Sequence, residues 1–257
     1  WIKQLPAGPL SRLTFDGTSS VRPTWTADGQ TVLYLSTVDS GPVSVWKKRA
    51  DGSAAAELVW QAPNGIIAEA NMSANGEWLI YRVNTPDGGR DIYGIRPGRD
   101  TVPTPLLTGK FLEQGAALSP DGKWLAYSSN ESGQFEVFVR PFPNTGSGRW
   151  QVSTRGGAAA RWSRSGRELF FQSTSNNDFM AVTIAPGATF SPSEPRRLFS
   201  QGGVLLGSNI VPYYDLTPGD SGFVMVRLAA VNASPGAGQV VVVDNWFTEL
   251  RSKMGAK

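Results

Sequence analysis

A four-residue turn signal recurs along this chain at a nearly constant interval. It occurs as Thr26-Ala27-Asp28-Gly29, Ser73-Ala74-Asn75-Gly76, Ser119-Pro120-Asp121-Gly122 and Ser163-Arg164-Ser165-Gly166. The glycines that end these four signals are 47, 46 and 44 residues apart. Asp-Gly and Asn-Gly pairs favour two-residue hairpin turns, in which both central residues take positive φ. A repeat of about 45 residues built around a hairpin is typical of a β-propeller, with one blade per repeat.

Each turn is followed by a short apolar segment, which predicts the second strand of a hairpin. These segments are residues 32–35, 78–81, 124–127 and 169–172. Two further strand-like segments follow in each repeat, and clusters of Gly, Pro, Asn and Ser separate them. The sequence therefore predicts an all-β fold, a β-propeller built from four-stranded antiparallel blades.

The repeats predict a single propeller domain over residues 1–257, with about five blades. The expected blades are a partial one at 1–20, then 21–66, 67–113, 114–157, 158–203 and 204–244. The last of these supplies three strands, and residues 245–257 are predicted as a short amphipathic C-terminal helix and tail. Because the first residues match only half a blade, we expect a fragment of a six- to eight-bladed ring.

Large aromatic side chains near the repeated turns are expected to form the contacts between blades. A four-stranded sheet of this size buries too little apolar surface alone, so its faces must pack on neighbouring sheets. Aromatic rings contribute the largest area to such contacts, about 150–250 Å² each. We therefore predict an inter-blade core that contains Trp25, Trp78, Trp124 and Trp162, rather than an exposed surface for stacking bases or sugars.

The absence of histidine and cysteine from the sequence excludes several kinds of active site. It removes Ser-His-Asp and Cys-His catalysis and metal sites built on imidazole or thiolate. The segment 219–222, GDSG, resembles the nucleophile segment of trypsin-like proteases, but it lies where the turn of the fifth repeat is expected. A hydrolase or lyase site in the channel would need convergent carboxylates, and Asp28 and Asp121 are spaced as turn residues. We predict no catalytic residue, no cofactor and no metal in this chain.

The charge and hydropathy of the sequence argue against nucleic-acid and membrane partners for this segment. The formal net charge is +3, and the basic residues are scattered, whereas nucleic-acid binding predicts clusters of Lys and Arg. The tightest basic group, Arg155, Arg161, Arg164 and Arg167, is interpreted as the solvated turns of one blade. No run of 18 apolar residues occurs in the sequence. The sequence predicts neither a nucleic-acid partner nor a membrane span in this segment.

The third repeat closely resembles the repeat consensus of TolB-like propellers, through residues 118–133, LSPDGKWLAYSSNESG. Narrower matches lie at 150–171 and at 242–250, VVDNWFTEL. Together they resemble the C-terminal propeller of bacterial serine/threonine protein kinases of the eukaryotic-like type. The resemblance implies a cytoplasmic kinase domain and a membrane span upstream, with the propeller on the extracytoplasmic or periplasmic side. This chain contains no kinase motif, so no catalytic residue can be carried over to it.

The sequence favours a non-catalytic binding or sensing module, because propeller loops carry binding sites on a rigid scaffold. The expected partner is a protein or a small extracellular ligand. Two alternatives remain open. The chain is either a soluble periplasmic TolB-like protein-interaction propeller, or a propeller that gates a peptidase domain outside this segment.

Polar residues on one predicted face of the ring are the candidate binding residues. This face carries the loops between second and third strands and the loops that link blades. The linking loops are expected to carry Glu69, Glu113, Arg155 and Arg161. The loops between second and third strands contribute Asp39, Asn130 and Glu131.

Overall fold

The computed structural model describes residues 1–5, 7–15, 19–37, 41–200, 212–226 and 240–243. Within these residues, the secondary structure consists of β-strands and two 3₁₀ turns, Thr145–Ser147 and Pro218–Asp220. None of the described elements is a helix of the length and apolarity needed to cross a lipid bilayer. The predicted C-terminal helix at 245–257 and the candidate residue Asp39 lie outside the described residues.

The described strands form six antiparallel sheets, and strands that are consecutive in sequence are neighbours in each sheet. A two-stranded sheet comes first, with β1 (Ile2–Lys3) and β2 (Leu10–Ser11). Sheet I contains β3 (Ser19–Trp25), β4 (Thr31–Thr37), β5 (Ser44–Arg49) and β6 (Glu57–Trp60). Sheet II contains β7 (Ile66–Met72), β8 (Leu79–Asn84), β9 (Arg90–Ile95) and β10 (Thr104–Leu107).

The next sheets repeat this meander. Sheet III contains β11 (Glu113–Leu118), β12 (Trp124–Ser129), β13 (Glu136–Pro141) and β14 (Trp150–Gln151). Sheet IV contains β15 (Ala158–Trp162), β16 (Glu168–Gln172), β17 (Asp178–Thr183) and β18 (Arg196–Ser200). Sheet V has three strands, β19 (Tyr214–Leu216), β20 (Phe223–Val226) and β21 (Val240–Val243). The predicted all-β propeller of four-stranded antiparallel blades is confirmed.

The recurring turn joins the first two strands of each four-stranded sheet, but it is not the two-residue turn that the sequence predicted. In the third repeat, Gly122 has a φ of 70°, whereas Asp121 is not among the residues with positive φ. The Gly122 N–H donates to the Ser119 carbonyl at 2.9 Å, and Ser119 Oγ accepts a hydrogen bond from the Trp124 N–H at 3.0 Å. The signal therefore encodes a longer hairpin loop that ends in a left-handed glycine and is held by the serine hydroxyl.

The hydrophobic core lies between successive sheets and links them in chain order. Four clusters of buried side chains each combine residues from two neighbouring sheets. They join Leu33 to Leu79 (sheets I and II), Ile92 to Leu125 (II and III), Ala126 to Leu169 (III and IV), and Phe179 to Tyr214 (IV and V). Since sheets I to V each contact the next one through a face, they stack as propeller blades do.

Three of the four tryptophans predicted for the core contribute to it, and one does not. Trp162 is buried and its Nε1 donates to the Ala117 carbonyl of sheet III at 3.0 Å, while Trp78 and Trp124 are half-buried against the clusters. Trp25 is 49% exposed, so its predicted place in the core is wrong. At this repeat position the ring faces the preceding sheet. Among the described residues, the two-stranded β1–β2 sheet comes before sheet I, and the Trp25 ring remains half exposed.

Candidate functional site

The first strand of every four-stranded sheet contains a β-bulge at an equivalent position. The register shifts lie between Val21 and Thr24, Ile67 and Glu69, Gln114 and Ala117, and Ala158 and Arg161. Three of the bulges contain a residue with positive φ, namely Arg22 at 55°, Gly115 at 63° and Ala159 at 58°. A bulge of this kind bends the strand and redirects its side chains. These redirected positions line the interior of the sheet array.

A cavity of about 380 Å³ lies where the first strands of sheets I to V converge. Each of these strands contributes to its lining, through Arg22, Glu69, Gly115, Arg161 and Asp215 among others. Because sheets I to V all contribute, the cavity occupies the centre of the radial arrangement. This is the place where a propeller brings together residues that are distant in sequence.

Glu69 ties two sheets together at the wall of the cavity. Its Oε1 accepts a hydrogen bond from Arg82 Nε at 2.8 Å, and its Oε2 accepts one from the Gly115 N–H at 2.8 Å. The side chains of this ion pair are only 7% and 4% exposed for Glu69 and Arg82. Burial raises the pKa of the Glu69 carboxyl, and the charge of Arg82 and the Gly115 N–H oppose that shift. Both carboxyl oxygens are therefore engaged within the protein.

The two arginines of the cavity differ from Arg82. The guanidinium groups of Arg22 and Arg161 form no hydrogen bond or ion pair with any residue that the structure describes, and both side chains are half-buried. Asp215 accepts a hydrogen bond from the Leu216 N–H at 2.9 Å through Oδ1. The described part of the cavity therefore presents two cationic groups whose donors have no protein acceptor.

Tyr214 anchors sheet V to sheet IV beside the cavity. Its hydroxyl donates to the carbonyl of the bulge residue Ala159 at 2.7 Å, and it lies 3.3 Å from the Phe170 carbonyl. Burial raises the pKa of the Tyr214 hydroxyl, so this donor stays protonated. The hydrogen bond fixes the orientation of β19 and hence the position of its neighbour Asp215.

A second group of charged side chains surrounds the start of β11. Glu113 is buried, and its Oε2 has no hydrogen-bond partner among the described residues. Burial, followed by the negative charges of Asp91 and Glu131, raises the pKa of Glu113 to about 7. Glu131 forms an ion pair with Arg149. No residue of this group is part of the cavity lining.

The structure distributes the predicted site residues over separate places. Glu69 and Arg161 line the cavity. Glu113 and Glu131 belong to the second charged group, next to Asn130, whose Oδ1 accepts the Leu112 N–H at 2.9 Å. Arg155 is exposed in the segment between β14 and β15.

The predicted placement of Glu69, Glu113 and Arg161 on linking loops is wrong, because they lie within β7, β11 and β15. The bulge interrupts the alternation of polar and apolar residues, so the first strands do not look like strands in the sequence.

Sequence reasoning missed Arg22, Tyr214 and Asp215. A signal for two of them was present, because the positions seven residues before the turn glycines are Arg22, Glu69, Gly115, Ala159 and, before Gly222, Asp215. Comparison of the repeats at this position would have selected cavity residues in four repeats, whereas in the fourth it selects Ala159, which does not line the cavity, instead of Arg161.

No protein-family model matches the chain. Among solved structures it is similar to TolB from Acinetobacter baumannii, with a TM-score of 0.61 and 17% identity over 82% of this chain and 49% of that one. A protein assigned as TolB from Agrobacterium tumefaciens matches with a TM-score of 0.54 and 19% identity, over 72% and 69% of the two chains. A puromycin-hydrolyzing peptidase from Mycobacterium tuberculosis matches with a TM-score of 0.54 and 16% identity, over 81% and 34%.

The chain thus spans about half the length of the first of these proteins. At such identities the similarity concerns the fold alone. The chain has the fold of TolB-like β-propellers.

Proposed function

We propose that this chain is a non-catalytic binding module whose ligand occupies the central cavity. The observation that carries the proposal is the convergence of five first strands on a cavity of about 380 Å³ that contains two arginines without an acceptor among the residues that the structure describes. Ligand sites in proteins are concave, largely pre-formed and within about 300–1,000 Å³, with a few polar groups that fix the orientation of the ligand. The cavity has these properties.

The chemistry of the lining favours binding over catalysis. The sequence contains no histidine or cysteine, so a general base or nucleophile would have to come from a carboxylate, a hydroxyl or a lysine amine, and no lysine is among the described lining residues. Both oxygens of Glu69 already accept hydrogen bonds from Arg82 and Gly115. The remaining cavity carboxylate, Asp215, has no second carboxylate to share acid and base roles with it.

The proposed setting of the module is the extracytoplasmic C-terminal region of a bacterial serine/threonine protein kinase. Support comes from the resemblance of residues 118–133, 150–171 and 242–250 to such propellers. The partner would be a protein or a small extracellular ligand, and Glu113, Arg155, Asp39, Asn130 and Glu131 stay candidates for a further contact surface. Kinase motifs and a membrane span encoded upstream of Trp1 are the expected finding. A signal peptide followed by more propeller repeats, or an adjoining peptidase domain, would contradict this setting.

Filling the cavity tests the binding site itself. Val224 lines the cavity and lies opposite Asp215 in the pairing of β19 and β20. Ligand-detected NMR with a fragment library should identify fragments that bind the native chain but not Val224→Trp, because the larger ring occupies their volume. The matched control is Val102→Trp, since Val102 is 75% exposed in the loop before β10. Fragments that bind both variants equally well would show that the ligand site lies elsewhere.

A further inference from the structure

Arg22 and Arg161 bring an excess of positive charge to the cavity. A guanidinium group stays charged at all physiological pH values and presents a planar set of donors that suits carboxylates. These donors are half-buried at a cavity wall, have no acceptor among the described residues and remain within reach of solvent. An anion inside the cavity would therefore find donors that are not already paired within the described protein.

The acidic residues of the cavity cannot supply them. Glu69 uses one oxygen for Arg82 and the other for the Gly115 N–H, so it is already compensated. No ion pair joins Asp215 to either cavity arginine in the described chain. The Asp215 carboxylate oxygens therefore lie more than 4.0 Å from the side-chain nitrogens of both arginines. Two cations therefore face one uncompensated carboxylate, which leaves a surplus of one positive charge.

The rest of the lining is mostly apolar. Pro23, Ala70, Val224 and Met225 contribute aliphatic surface, and the ring of Tyr213 adds aromatic surface. Apolar surface favours a ligand that buries hydrocarbon, at about 25 cal/mol for each Å² removed from water. The lining thus combines a cationic region with an apolar region, so its ligand should contain an anionic group and an apolar group.

We propose that the cavity binds a small organic carboxylate with an apolar body, an inference that depends on the cavity being the ligand site. Arg22 from sheet I and Arg161 from sheet IV hold the carboxylate, and the apolar body lies against residues such as Val224. A singly charged carboxylate matches the surplus of one charge, whereas a doubly charged phosphate ester would exceed it. Because sheets I and IV are not neighbours, the bound ligand connects opposite sides of the cavity.

Calorimetric titration with 3-phenylpropionate, using 3-phenylpropanol as its neutral counterpart, tests this proposal on the native chain. The acid should bind and the alcohol should bind at least tenfold more weakly, because the alcohol leaves the two guanidinium groups unpaired. Phenethyl phosphate should also bind more weakly than the acid. An alcohol or a phosphate ester that binds as well as the acid would overturn the proposal.

Substitution identifies the groups responsible. Arg22→Gln and Arg161→Gln should each weaken binding of 3-phenylpropionate by about 10- to 100-fold, the effect of removing a charged hydrogen-bond donor. Arg167→Gln is the matched control, since Arg167 is exposed in the turn of the same sheet as Arg161 and should leave the affinity unchanged. Circular dichroism verifies that each variant is folded. If a variant does not fold, the comparison of 3-phenylpropionate with 3-phenylpropanol on the native chain still tests the proposal.

The outcomes separate this proposal from the proposed function. Fragments that Val224→Trp excludes, together with no binding of 3-phenylpropionate, would overturn the carboxylate proposal and leave the cavity as the ligand site. Binding of 3-phenylpropionate that neither Val224→Trp nor the arginine variants affect would overturn both.

Discussion

At the scale of single residues, two of the buried carboxyl groups in the described part of the chain have opposite environments. Glu69 receives hydrogen bonds from Arg82 and from the Gly115 N–H, whereas Glu113 keeps one oxygen without a partner in the described chain. A buried ionised group without a counter-charge is costly, so the protonated form is favoured. This explains why burial and the charge of Asp91 raise the pKa of Glu113 to about 7.

The raised pKa predicts that this group makes the protein less stable as pH increases. Between the ordinary value of 4.5 and about 7, folded Glu113 keeps a proton that the unfolded chain has lost, so the free energy of unfolding falls as pH rises through this window. Glu113→Gln holds the side chain neutral. It should remove this dependence and stabilise the protein at pH 8 by about 1–2 kcal/mol, once solvent screening is allowed for. Urea denaturation at pH 5 and pH 8 measures both effects.

A matched control is Glu57→Gln. Glu57 is exposed and forms a surface ion pair with Lys47 at 3.0 Å, so its substitution should change stability little at either pH. A Glu113→Gln variant whose stability varies with pH as strongly as that of the native protein would show that Glu113 does not cause the dependence.

At the scale of structural elements, the sequence predicted those features whose hydrogen bonds join residues that are close in sequence. The turn at 119–122 was found because its signal and its hydrogen bonds lie within six residues, and the predicted strand 124–127 falls inside β12. The first strand of the hairpin in the second repeat was predicted, but Glu69 was placed on a linking loop, because the extent of β7 depends on a bulge that is defined by pairing with β8. A register shift is a property of two paired strands, so the sequence of one strand alone does not predict it.

Gly156, which lies between sheets III and IV, is predicted to be essential to the link between them. It has a φ of 85°, its N–H donates to Glu136 Oε1 at 2.8 Å, and a Cβ added to it would lie 2.3 Å from Thr174 Oγ1. Gly156→Ala therefore combines left-handed backbone strain with a steric clash. It should lower the free energy of unfolding by about 2–4 kcal/mol, measured by urea denaturation.

Gly122→Ala isolates the backbone contribution. Gly122 has a similar φ of 70°, but a Cβ added to it would meet no atom within 4 Å. This variant should cost only about 1–2 kcal/mol, the penalty of the left-handed conformation for alanine. Equal losses in the two variants would mean that the space around Gly156 has no influence.

At the scale of the whole molecule, the array of sheets was predictable and the cavity was not. The repeat length fixed the order and number of strands, because each sheet forms from about 45 consecutive residues. The cavity instead joins Arg22 with Arg161 and Asp215, which come from three different sheets. Their convergence depends on how the sheets stack around a centre, and no single repeat contains that information.

Part of one apolar face of sheet I is exposed in the described part of the chain, although other residues on that face are buried. Leu33 and Leu35 face sheet II, and the strand pairing places Trp25 and Leu58 on the opposite face. Trp25 is 49% exposed and Leu58 is 52% exposed. An exposed apolar face on a β-sheet favours association with another molecule.

We therefore expect the 257-residue chain to self-associate through this face. Sedimentation velocity should show the average mass rising with protein concentration, and the double substitution Trp25→Lys with Leu58→Lys should shift the protein towards the monomer. The charged side chains would have to be buried at the interface, which is costly without partners. Val102→Lys adds a charge at a more exposed apolar residue outside this face and should leave association unchanged. A native chain that stays monomeric at every concentration would contradict the prediction. It would show that the exposure of Trp25 and Leu58 does not cause association.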